Sequence, residues 1–230
     1  NEQIRTTISL NNVPVKIIGS HAGVSVGPDG ATHQALEDIA LMRVQPNMTV
    51  LAPADAEEAR KATLAAALHD GPVYIRLARE KTPVVTSKET PFKIGAAESF
   101  WESSEPRVAI FSTGTLLYNA LIAAQALEKE GIGSIVVNSP SIKPLDEKTI
   151  LDAAKKTGAV VTAEEHQIAG GFGSAVAELL AQYHPVPHEF IGVRDQFGQS
   201  GKPEELIEHY GMGVLHIMEA ARRAAARKSI

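Results

Sequence analysis

His21, Asp29 and His33 stand in one glycine-punctuated run, His21 to Glu37, and together they can exchange protons near neutral pH and hold substrate hydroxyl groups. Gly23, Gly27 and Gly30 let this backbone approach a ligand or take positive φ. Their spacing fits neither the G-x-x-x-x-G-K-[ST] phosphate loop nor G-x-G-x-x-G. No third histidine or carboxylate follows at H-E-x-x-H spacing, so a metal centre is the weaker reading, and a purely structural turn is the alternative. Arg76 and Arg79 end an apolar strand, where an arginine fork suits a phosphate or carboxylate; the alternative is an ion pair with Glu80 or Asp70. Glu164 and Glu165 invite an acid/base reading but also fit a turn-stabilising or interface role. The glycines from Gly170 and Ser174 open a helix whose amino end can hold an anion. The run Gln199 to Leu206 reads as a structural helix start, with proline in its first turn.

Elements that alternate between strand and helix must position these residues. The apolar run Val13 to Gly19 predicts a strand that feeds the loop, and Ala35, Leu36, Ile39, Ala40 and Leu41 predict a short helix over 33–41. A strand over 48–52 precedes Asp55, the N-cap of a helix to about His69, and Val73 to Ala78 is the next strand. From Glu80 to Arg107 the period is lost among Pro83, Pro91 and Pro106, which reads as a connection. Strands over 108–111, 134–137, 160–162 and 190–193 then alternate with helices over 116–130, 146–156 and 173–182. Helices over 203–209 and 213–228 close the chain. The expected fold is α/β, with two three-layer α/β/α domains and mostly parallel sheets, the first incomplete at its amino end. The expected division is 1–80, a linker over 81–106, and 107–230. Glu2 to Ile8 reads as the tail of a helix, so the first domain is expected to begin upstream of Asn1; a processed or disordered end is the alternative.

The 230 residues, 44% of them hydrophobic, suffice for a sizeable core. The chain has no cysteine, which excludes disulfides, thiolate catalysis and cysteine-ligated metals. A net charge of −5 without a long basic run speaks against nucleic acid as main partner. No apolar run approaches the roughly 20 residues that span a bilayer, and no secretory signal opens the chain, so no membrane partner is expected and the expected compartment is the cytoplasm.

The block His21 to Glu37, continuing through Arg43, Pro46-Asn47 and Pro53-Ala54-Asp55, resembles the pyrimidine-binding domain of transketolases, and Arg79 matches the arginine after that domain's later strand. Ser141 to Asp146, Glu165-His166 before Gly170-Gly171-Phe172-Gly173, and Phe197 to Pro203 resemble the transketolase carboxyl-terminal domain. The resemblance covers nearly the whole chain. It implies thiamine diphosphate chemistry, in which two-carbon ketol units pass between sugar phosphates. His21 and Arg79 would hold the substrate phosphate, Asp29 would bind a substrate hydroxyl, and His33 would stand at the reacting hydroxyls as the catalytic residue.

The resemblance also implies what this chain lacks. The family's cofactor-activating glutamate and stacking aromatic residues would lie upstream of Asn1, leaving its own cofactor-binding residues unknown. The GDG motif that serves the diphosphate and its Mg2+ or Ca2+ does not occur here, so the chain itself would bind no metal. A diphosphate-binding amino-terminal subunit or domain is therefore the expected partner, with self-association as a dimer or a heterotetramer. Deoxyxylulose-phosphate synthase and the β subunit of 2-oxo acid dehydrogenases share this architecture, and a non-catalytic assembly module is the reading from another class.

Overall fold

Inner strands of this chain such as Thr49–Leu51 and Val73–Arg76 are buried on both faces, and the strands sort into two sheets in a computed structural model that describes residues 1–228. The first sheet contains β1 (Lys16–Gly19), β2 (Thr49–Leu51) and β3 (Val73–Arg76) in parallel, ordered β1-β3-β2. Its other edge is β7 (Ser141–Lys143), which arrives from the second half of the chain and runs antiparallel to β2. α1 (Asp38–Arg43) packs on one face through Ile39 and Met42, and α2 (Ala56–Ala67) packs on the other through Ala62 and Ala66.

The second sheet is ordered β4-β6-β5-β8-β9: β4 (Glu98–Glu102), β6 (Gly133–Asn138), β5 (Pro106–Ser112), β8 (Val160–Gln167) and β9 (His188–Val193). All its pairings are parallel except that of β4. α3 (Leu117–Lys129) and α7 (Val214–Ala226) cover one face, and α4 (Glu147–Thr157) and α5 (Phe172–Tyr183) cover the other. α6 (Pro203–His209), with proline in its first turn, lies against the loop after β1. The expected α/β class with two mostly parallel sheets is what the chain forms.

The halves share their cores. Ile39, Met48, Val50 and Tyr74 of the first half pack in one cluster with Phe111, Ile142, Phe172 and Val176 of the second. Each fully buried aliphatic or aromatic side chain there contributes roughly 1.5–3 kcal/mol.

Several boundaries differ from expectation for identifiable reasons. β1 begins at Lys16, since Pro14 offers the ladder no N–H. Residues 33–37 are not helical: Ala22 bridges Ala35, and the Ala35 and Leu36 carbonyls accept from Gly23 and Gln167, so backbone pairing to neighbouring segments holds this stretch and Leu36 is buried. The stretch 81–106 carries β4, an edge strand whose register bulge between Ser99 and Trp101 hides its alternation. That stretch is also tied down by two helix caps. Asp55 caps α2 by accepting from Glu58 N at 2.9 Å and also accepts from Val85 N and Thr86 N. Asp146 caps α4 and accepts from Ala97 N at 2.9 Å. Finally, β8 runs to Gln167, placing Glu164, Glu165 and His166 on a strand where a polar loop was expected.

Candidate functional site

β1 and β3 are parallel neighbours, with Gly19 opposite Arg76, so the chain leaves both at one edge of the first sheet. Ala22 N donates to Leu77 O at 3.2 Å and fixes the start of the loop beside the end of β3. His21, at φ 62°, lies exposed there with Nδ1 3.1 Å from Ser20 Oγ. Two short 3-10 turns follow over Val24–Asp29, kinked at Gly27, where φ is 80°. They deliver Asp29 to the surface, and His33 follows, exposed, with Nδ1 2.9 Å from Thr32 Oγ1.

Arg79 meets this loop directly. Its guanidinium lies 3.1 Å from the Asp29 carboxylate and donates to Val26 O at 2.9 Å, with Glu80 at 3.7 Å. The structure thus joins Arg79 to Asp29 and places His21 at the same sheet edge. Among the described residues neither His21 nor His33 is hydrogen-bonded to that pair. A cavity of about 470 Å3 opens beside Arg79, between Pro53–Ala56 and Leu77–Thr82.

Arg76 has a different fate. It is buried, pairs with Asp38 at 2.9 Å rather than with Glu80 or Asp70, and donates to the carbonyls of Ala35 and Glu165. Tyr74 donates to the same Asp38 at 2.8 Å. Burial works against the Asp38 carboxylate, but Arg76 and His166 outweigh it and hold the group below its usual range. Burial, reinforced by the Arg76 charge, lowers His166 to about 4, so the ring is neutral at pH 7. Its Nδ1–H donates to Gln167 O at 2.7 Å, and Nε2 faces Ala40 N at 3.5 Å. Tyr74 and Arg76 inside an apolar strand were the available sequence signal for this buried polar centre; Asp38 carried none.

Glu164 and Glu165 are successive residues of β8 and point to opposite faces. Glu164 accepts from Phe172 N at 2.6 Å and Gly173 N at 2.8 Å, filling the amino end of α5 with the chain's own carboxylate. Ser174 Oγ bonds Gly170 N and Ile168 O. This helix start is therefore not the anion site expected for it. Burial pushes Glu164 up to about 7 despite those donors. Glu165 faces the loop after β1, accepting from Ser25 N and from Thr115 Oγ1. Among the described residues no group of three or more His, Asp or Glu is placed to hold a metal ion. No helix among them is long and apolar enough to cross a membrane.

Comparison with known proteins matches the chain to one family. Residues 1–84 match the profile of the transketolase pyrimidine-binding domain, and residues 99–217 that of the transketolase C-terminal domain. Over 228 residues the chain is 40% identical to the 6-deoxy-6-sulfo-D-fructose transketolase subunit of a Clostridium species, covering 99% of this chain and 70% of that protein. It is 39% identical over 214 residues to a putative transketolase C-terminal section of Methanocaldococcus jannaschii, covering 92% of this chain and 66% of that one. A solved split-gene transketolase, described as an inactive β4 tetramer, superposes with a TM-score of 0.92 at 44% identity, over 99% of this chain and 72% of that one.

Proposed function

This chain belongs to the transketolase family, and from that membership we propose that it is the carboxyl-terminal section of a split, thiamine diphosphate-dependent transferase of two-carbon ketol units between sugar phosphates. The observation that carries the reading is the Arg79–Asp29 pair at the sheet edge, with His21 beside the end of β3. Likeness to two other transketolase sections favours it over a deoxyxylulose-phosphate synthase, a 2-oxo acid dehydrogenase chain or an assembly module.

The described residues do not fit the metal–diphosphate part of the cofactor. They hold no cluster of metal-ligating side chains, and the sequence has no GDG. That part, with its Mg2+ or Ca2+, is assigned to an amino-terminal partner, and this section would self-associate within a larger assembly in the cytoplasm. Thiamine diphosphate bound there would supply the carbanion chemistry. This chain's own groups would recognise the sugar. Arg79 presents a planar donor fork to a terminal phosphate, and His21 adds a further contact to it. Asp29, holding Arg79 in place, accepts from a substrate hydroxyl with its remaining lone pairs. His33, exposed after the same loop, serves the reacting hydroxyls. One relative is named for a sulfonated ketose, and a guanidinium would hold sulfonate by the same fork.

The test combines this chain with an amino-terminal diphosphate-binding subunit and measures ketol transfer from xylulose 5-phosphate to ribose 5-phosphate, with 6-deoxy-6-sulfofructose as a second donor. Transfer by the assembly, and none by either part alone, is expected. An assembly that forms yet transfers from neither donor overturns the reading.

A further inference from the structure

We propose that Glu165 is a positioning residue for sugar recognition, lent by the second half of the chain to the loop that carries Asp29. The inference rests on the reading of that loop as the substrate loop.

The loop from Gly23 to Gly30 holds itself together poorly. Its 3-10 turns are short, they are broken at Gly27, and Gly30 N to Gly27 O at 3.2 Å is a long closing bond. The fixed points come from elsewhere. Glu165, only 3% exposed, accepts from Ser25 N at 2.5 Å on one carboxylate oxygen and from Thr115 Oγ1 at 2.9 Å on the other. A Cβ at Gly23 would lie 2.2 Å from the same carboxylate, so the backbone is drawn directly onto it. Farther along, Gln34 Nε2 reaches Val24 O, Gly27 O and, from the second half, Gln199 O. Pro203, at the start of α6, packs 3.2 Å from where a Cβ of Gly27 would be.

The chemistry at position 165 is specific. Its two partners both donate, and an ionised carboxylate is the side chain of this length that accepts on both oxygens. A glutamine could still take Ser25 N on its one accepting oxygen and offer an N–H to the Thr115 hydroxyl turned round to accept, but both bonds would then be neutral and weaker than bonds to a carboxylate. The hold passes to the sugar site through two links already described: Val26 O, which takes an Arg79 N–H, and Asp29, which pairs with the same guanidinium. Glu164 provides an internal contrast, equally buried on the opposite face of β8 and bonded to α5.

The experiment compares Glu165→Gln, Thr115→Val and Glu164→Gln, each with the amino-terminal partner. Amide hydrogen exchange is read on the chain alone and in the assembly. For Glu165→Gln, exchange over residues 24–30 should rise about tenfold, and KM for the phosphorylated sugars should rise about tenfold with kcat changed by less than about threefold. Thr115→Val should move both readouts in the same direction by less, while Glu164→Gln should leave loop exchange unchanged. Unchanged loop exchange in Glu165→Gln overturns the proposal, as does faster exchange in an active assembly whose KM stays the same. A wild-type assembly without transfer would count against the functional reading, and loop exchange would then decide whether Glu165 clamps the loop.

Discussion

Arg79 and Arg76 leave the same strand edge, yet one sits in an open site and the other in a closed one. At the surface, Arg79, Asp29, His21 and His33 keep polar atoms toward solvent, and Arg79 and Asp29 each have 35% of the side chain exposed. Underneath, Arg76, Asp38, Tyr74 and His166 are the same kinds of group with their capacity already spent on one another and on backbone. Charged groups that are saturated and buried hold a fold; those left partly open are the ones a ligand can recruit. Breaking the first set should therefore cost stability, and breaking the second should cost recognition.

The largest effect is expected from Asp38→Ala, which strands the buried Arg76 charge and the Tyr74 hydroxyl. Urea unfolding should show a loss of roughly 3–5 kcal/mol. A loss below about 1 kcal/mol would mean that the polar centre is dispensable. Next comes Arg79→Ala, with stability within about 0.5 kcal/mol of wild type. In the assembled enzyme its kcat/KM for phosphorylated donors should fall by a factor equivalent to about 1.5–3 kcal/mol, with a far smaller loss for non-phosphorylated ones. Asp29→Ala should impair both classes, and equal losses on both classes for Arg79→Ala would remove Arg79 from phosphate recognition.

The smallest effect is a change of slope with pH. Burial raises Glu58 and Glu164 from 4.5 to about 7 and lowers His166 and His188 from 6.5 to about 4. The glutamates contribute fully below pH 4.5, and their contribution is lost as pH rises through about 7. The histidines contribute fully above pH 6.5, and theirs is lost as pH falls through about 4. These trends oppose one another between about pH 4.5 and 6.5, so wild-type stability should be nearly flat there. Glu164→Gln leaves one histidine uncompensated, and its stability should then rise by about 1.4 kcal/mol per pH unit across that window. A flat profile in the variant would show that Glu164 does not titrate there.

The open region was the more legible of the two in the sequence. An apolar strand before His21 and another before Arg79 put each at a strand end, the resemblance to transketolases joined Arg79 to the loop of His21 and Asp29, and Asp55 announced its helix because its cap partner Glu58 is local. The closed region was opaque for a physical reason: Arg76 finds Asp38 across 38 positions of sequence, and no local pattern encodes that meeting. β8 was cut short because burial on both faces leaves no alternation to follow, and its Glu-Glu-His run then reads as loop. Ala35 and Leu36 imitated a helical face while their backbone pairs with Gly23 and Gln167.

β7 has a consequence for dividing this polypeptide. The strand completes the first sheet from beyond the proline-rich connection, and the caps of α2 and α4 fasten that connection at both ends. A protease cut or a gene fission placed there, ahead of β4, would leave the second sheet whole but would part the first sheet from its edge strand β7. Modular exchange of the first half would therefore have to carry β7 with its sheet.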